Sequence, residues 1–122
     1  MSAVHPEVAR ALAVDWIAAW NAHDIERILS HYTDDVRLSS PFVTSIAGVE
    51  TGVVAGKSAL SIYWQKALAM LPDLHFTLID VLAGVNAVTI YYRGHRGTVA
   101  ETFQLDTAGQ VWAAAACYGV GG

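Results

Sequence analysis

The feature that most constrains this chain is a change of period partway along it. Up to Leu71 apolar residues recur at intervals of three and four; from Leu74 they alternate in short runs parted by glycine. The first pattern is helical and the second is that of strands. From Pro6 to Asn21, Val8, Leu12, Trp16, Ala19 and Trp20 share one face. Pro6 suits a first helical turn and Glu7 its positive end. Asp24 then reads as the N-cap of a short second helix through Ser30 or His31. A third helix runs from Lys57 to Leu71 with Leu60, Trp64, Ala67, Leu68 and Leu71 inward, and Pro72 stops it.

Between the second and third helices, Thr33, Asp34 and Asp35 read as a turn leading into a strand. Val36, Leu38 and Ser40 face one way, Asp35, Arg37 and Ser39 the other, and Pro41 ends the strand. Phe42 to Gly56 reads as a long loop with a short strand at Val53 and Val54. Leu74 to Leu82, Val88 to Arg93, Thr98 to Asp106 and Val111 to Tyr118 read as four successive strands. Their separators are short and contain glycine, so neighbours pair antiparallel. The expected architecture is a single α+β domain spanning residues 1–122.

The composition is 54% hydrophobic and 15% charged, against roughly 45–50% and about 25% in ordinary domains. A lined cavity or a subunit interface would absorb the excess. No apolar run reaches the length of a membrane span, and no leader is read at the N-terminus. A single cysteine, Cys117, suits a reducing cytoplasm. A net charge of −4 disfavours nucleic acid. The one basic knot, Arg93, His95 and Arg96, lies among glycines and reads as a solvated hairpin turn.

Strand alternation singles out Glu101. Val99, Glu101, Phe103 and Leu105 share a face, and that apolar face should meet the helices. A buried carboxylate is costly unless paired or protonated, and burial raises its pKa toward the range useful in proton transfer. Asp106 to Gln110 suits a type I turn with a glycine bulge, which pairs Asp106 with Gln110. Counting back sets Ala115 opposite Glu101 and Ala113 opposite Phe103. Two alanines leave volume that either the helix tryptophans or a ligand fills. Glu101 is then an acid/base group, or an acid tied to a buried indole N–H or hydroxyl with no reaction to perform. Ser40 is a second inward polar residue. Trp20, Tyr63, Trp64, Phe103 and Ala115 are the candidate lining residues.

Other motifs fail. Gly52 to Ser58 has three residues between its glycines where a phosphate-binding loop needs four. His5, His23, His31, His75 and His95 show no metal-ligand spacing, so no metal and no cofactor are expected. His23 and His31 read as solvated.

Several segments resemble one superfamily: Trp16 to Ile25, Tyr32 to Val36, Gly56 to Leu60, and Glu101 to Asp106 with Gly109. The chain is similar there to nuclear transport factor 2-like proteins. The resemblance implies a cystatin-like cone, with about three N-terminal helices on a strongly curved, mixed, mostly antiparallel sheet around a hydrophobic pocket. Its enzymatic branches include ketosteroid isomerases, SnoaL-like polyketide cyclases, limonene epoxide hydrolases and scytalone dehydratases. Against the isomerases, the oxyanion-hole tyrosine becomes Trp16, the proton-moving aspartate becomes Ser40, and the late-strand acid becomes Glu101. Only the acid keeps its chemical role, although Trp16 could donate a hydrogen bond through its indole. Ser40 lacks an activating partner, so steroid isomerisation is not expected.

Three functional classes follow. One is an isomerase-, cyclase- or hydrolase-type enzyme acting on a small hydrophobic oxygen-containing substrate, with Glu101 as acid/base and Trp16 and Ser40 orienting the substrate. Another is a non-catalytic pocket for a small hydrophobic molecule. The third is an interaction protein: Trp112, Ala114, Ala116 and Tyr118 line up with Thr102 and Gln104 on the outer sheet face, an uncharged surface suited to a homodimer.

Overall fold

A computed structural model describes residues 2–121. Four helices and six strands alternate along it in an α+β arrangement. Helix α1 (Pro6–Asn21) starts at His5, whose Nδ1 accepts from the Glu7 N–H at 3.2 Å. Helix α2 (Ile25–Leu29) is capped by Asp24, which accepts from the Arg27 N–H at 3.1 Å. Both starts follow the sequence signals. His23 at the junction is part-buried, not fully solvated: its backbone takes a φ of 54° and its Nε2 lies 3.0 Å from the Leu74 carbonyl. His31 is likewise engaged, with Nε2 2.6 Å from Asp15 Oδ2.

Strand β1 (Tyr32–Ser39) begins at Tyr32, earlier than the acidic run suggests, because Tyr32 already pairs with Val111. The following segment is not a loop. Helix α3 (Pro41–Ala47) occupies it, with Ser40 as N-cap, Pro41 in the first turn and Gly48 at φ 72° closing the end. A serine cap before proline and a left-handed glycine after the last turn are the usual punctuation of a helix. Strand β2 (Val53–Ala55) pairs antiparallel with β1. Helix α4 (Lys57–Met70) follows.

The remaining strands are β3 (Thr77–Gly84), β4 (Ala87–Arg93), β5 (Thr98–Leu105) and β6 (Val111–Tyr118). The start of β3 lies beyond Leu74 because the Asn21 side chain holds Phe76: Nδ2 donates to its carbonyl at 2.9 Å and Oδ1 accepts from its N–H at 2.7 Å. The sheet order is β2-β1-β6-β5-β4-β3. All pairs are antiparallel except β1 and β6, so the sheet is mixed. Helix α1 packs on β3 and α4 on β1, covering one face.

The turn from Asp106 to Gln110 forms as expected, with the Asp106 N–H on the Gln110 carbonyl at 2.8 Å. Its consequence for pairing differs. Leu105 pairs with Val111 but Gln104 pairs with Ala113, so Trp112 is an extra residue in the ladder. This β-bulge moves the rest of β6 by one position. Ala116 lies opposite Glu101 and Ala114 opposite Phe103. Ala114 and Ala116 are buried, whereas Cys117 is exposed. The outer face therefore carries Trp112, Ala113, Ala115 and Cys117. Tyr118 turns inward.

An aromatic cluster forms the core. Trp16 has ring centroids of Trp20, Phe76, Tyr92 and Phe103 within 5.3 to 6.0 Å. Among the described residues no helix is long and apolar enough to cross a membrane.

Candidate functional site

A cavity of about 510 Å³ opens between the covered sheet face and the helices. Helix α1 contributes Trp16 and Trp20, α3 contributes Phe42, Ser45 and Ile46, and α4 contributes Tyr63, Trp64, Ala67 and Met70. The sheet adds Leu38, Tyr92, Glu101, Ala116 and Tyr118. The turn from Gly94 to Gly97 completes the wall. The volume is in the range of sites that enclose small organic molecules, and the walls are mostly apolar, as such sites are.

Glu101 and Ser40 are the buried polar residues among those described. Glu101 is 5% exposed and lines the cavity. Its carboxylate accepts one hydrogen bond, from the Tyr92 hydroxyl to Oε1 at 3.2 Å. Burial pushes its pKa from the ordinary 4.5 up to about 7, and the Tyr92 hydrogen bond opposes part of that rise. A carboxyl in this range changes protonation close to neutrality, which is the condition for efficient proton transfer.

Phenols surround the acid. Tyr118 is raised to about 12, Tyr63 is raised, and Tyr32 and Tyr92 are raised well above the ordinary value, in each case mainly by burial. All four are pushed up further by the Glu101 charge. They therefore stay protonated and serve as hydrogen-bond donors, not bases.

Trp16 does not offer its indole N–H to the cavity. Nε1 donates to the Tyr32 hydroxyl at 2.8 Å in the buried core. Trp16 supplies a wall and an anchor. Ser40 Oγ accepts from the Phe42 N–H at 3.2 Å as the cap of α3, and its hydroxyl faces the Tyr118 oxygen at 3.5 Å. It holds α3 and Tyr118 in place.

Of the lining residues read from the sequence, Trp20, Tyr63 and Trp64 do line the cavity. Phe103 does not: it is fully buried between Trp16 and Tyr32, at centroid distances of 5.5 and 6.1 Å. Ala115 lies on the opposite face, beside Thr102 and Gln104, because of the bulge at Trp112. Ala116 takes its place. Tyr118, expected on the outer face, lines the cavity and meets Phe42 edge-on at 4.7 Å. Tyr92 was legible, since alternation on β4 puts it on the face of Val88 and Ile90.

Trp20 adds an unmet donor. Its Nε1 is buried and has no hydrogen-bond partner among the described residues, while its ring forms part of the cavity wall. A shallower groove of about 350 Å³ on the other sheet face is lined by Arg37, Thr102, Gln104 and alanines. Its lining residues include no acid. Among the described residues no group of three or more His, Cys, Asp or Glu side chains converges to hold a metal ion.

The family model for the SnoaL-like domain matches residues 13–118. The chain belongs to the SnoaL-like family. Its fold places it in the nuclear transport factor 2-like superfamily. A SnoaL-like protein of unknown function from Burkholderia thailandensis E264 is 43% identical over 97% of this chain and 99% of its own, with a TM-score of 0.93. A SnoaL-like family protein from Agrobacterium tumefaciens strain C58 shares the fold at 17% identity, covering 93% and 98% with a TM-score of 0.74. A protein with a cystatin-like fold from Methylobium petroleophilum PM1 does so at 15% identity, covering 99% and 82%, also at 0.74. No curated protein matches the chain. In this SnoaL-like chain, then, family membership accounts for the architecture, and any chemistry must be argued from the cavity.

Proposed function

We propose that the cavity binds a small hydrophobic molecule carrying an oxygen function and that Glu101 moves a proton on it, without a cofactor. One observation carries this reading: an acid with a pKa of about 7 is buried in an apolar cavity with a single phenol as partner. The protonated form would donate to a carbonyl or enolate oxygen, and the ionised form would take a proton from an adjacent carbon. The Tyr118 hydroxyl is a donor for such an oxygen. Turnover measured on a panel of small cyclic ketones, enol ethers and epoxides tests the reading. Glu101→Gln should lower the rate by about 10²–10⁴-fold. Equal rates for both proteins would remove Glu101 from the mechanism.

A second reading is supported by Ser40. The position before Pro41 carries a helix cap, and Glu101 is the only carboxylate among the described residues lining the cavity. A binding pocket without turnover needs nothing more. Thermal stabilisation by ligands that are recovered unchanged would favour it.

Self-association is proposed through the outer sheet face. Trp112 is 46% exposed there, beside Ala113, Ala115, Thr102 and Thr89, and the latter two hydroxyls bond to each other at 2.9 Å. Sedimentation at micromolar concentration should give twice 13.1 kDa, and Trp112→Lys should return the monomer. A wild-type monomer would refute this. The lone Cys117 and the absence of a long apolar helix among the described residues fit a cytoplasmic setting.

A further inference from the structure

The turn joining β4 and β5 is one place where the lining of the cavity reaches solvent. It is a tight turn: the Gly94 N–H donates to the Gly97 carbonyl at 2.6 Å, and Gly97 takes a φ of 151°. A Cβ on Gly94 would stand 3.0 Å from a Val99 methyl, so a larger residue there would have to displace that side chain. The two residues between these glycines, His95 and Arg96, are exposed and line the cavity mouth.

The charges along the cavity are therefore ordered. The single carboxyl lies buried in the wall, and the Arg96 guanidinium sits at an exposed end. Among the described residues Arg96 has no carboxylate partner; the three ion pairs present use Arg27, His31 and Lys57. An unpaired guanidinium at the mouth of an apolar cavity, in a chain of net charge −4, favours an anion at that end. A ligand carboxylate at the inner end would be buried beside Glu101, where like charges and low polarity both oppose it.

We infer that the cavity selects hydrophobic monocarboxylic acids, held with the carboxylate at Arg96 and a neutral oxygen toward Glu101. This rests on the reading of the cavity as a ligand site and adds the substrate class. Arg96 is a selectivity residue here and takes no part in proton transfer.

Matched pairs of acid and primary carboxamide test it: 4-acetylbenzoate against 4-acetylbenzamide, and 6-acetyl-2-naphthoate against its carboxamide. Affinities are measured by calorimetry at low and at high salt. The acids should bind about fivefold more tightly at low salt, as expected for a solvent-facing charge pair. High salt should shrink the difference. Arg96→Gln should erase the preference and leave carboxamide affinity unchanged, while Arg93→Gln, on the outward face, should keep it. Equal binding of acid and amide by the wild type, or a preference that survives Arg96→Gln, overturns the selectivity and leaves the ligand-site reading standing. Failure of all four probes to bind overturns both.

Discussion

The Tyr92 hydroxyl reaches Glu101 Oε1 at 3.2 Å, joining two neighbouring strands through their buried faces. Tyr92 pairs with Val99 and Ile90 with Glu101, so phenol and acid are diagonal neighbours on one face. Such neighbours lie within reach of long side chains. The bond stabilises the ionised acid. Its removal in Tyr92→Phe should push the Glu101 pKa above about 7, visible as a shift of its carboxyl carbon titration by NMR. An unchanged or lowered midpoint would mean that the phenol does not govern the acid.

Glu101 also ties stability to pH. Its folded-state pKa of about 7 lies above the ordinary 4.5. Between those values the native state holds the proton more tightly than the unfolded chain. Stability from this group is full below about 4.5, declines as pH rises to about 7, and is level beyond. The loss is on the order of 3 kcal/mol. Urea titrations across this window should show the decline in wild type and not in Glu101→Gln. Asp15 has the opposite sign, since its pKa is lowered chiefly by Arg27, but it acts at lower pH and is largely exposed. Parallel pH profiles for wild type and Glu101→Gln would contradict the burial argument.

Tyr32→Phe should destabilise the fold by about 1–3 kcal/mol. The ring and its contact with Trp64 at 5.2 Å remain, but the Trp16 indole N–H loses its acceptor. The cost is that of an unsatisfied buried donor, with almost no change in volume. Chemical denaturation measures it. A neutral substitution would show that the indole finds another acceptor.

Ser40→Ala should cost about 1 kcal/mol through the lost cap of α3. Ser40→Thr should keep the cap without adding a charge. If Ser40 acts only by holding α3 and Tyr118, then Ser40→Thr retains a melting temperature close to the wild type. A variant that melts normally but abolishes turnover would move Ser40 into the reacting machinery.

Much of this arrangement was legible in the residues. Period locates α1 and α4, the Asp24 cap locates α2, and alternation turns Glu101 inward. Helix α3 is hard to read from the residues because Ser40 and Pro41 equally suit the end of a strand. The same pair is a cap followed by a first-turn proline, and a seven-residue helix carries too little periodicity to settle the choice. The face of β6 was misjudged for a different reason. The turn from Asp106 to Gln110 was placed correctly, yet a bulge one residue later cancelled the count. That bulge accompanies pairing of β6 on both sides, antiparallel to β5 and parallel to β1. No local signal in Val111, Trp112 and Ala113 declares it. The turn from Gly94 to Gly97 was legible as a turn, but its position over the cavity depended on the whole sheet.

Trp112 is thus a spacer as well as a surface residue. Pairing Trp112 regularly opposite Gln104, with no bulge, would rotate the rest of the last strand by half a turn. Cys117 would then look into the chamber where a phenol now stands, and Ala113 and Ala115 would replace their neighbours along its wall. The hollow that holds Glu101 owes its lining to a kink that sets one residue aside on the far side of the sheet.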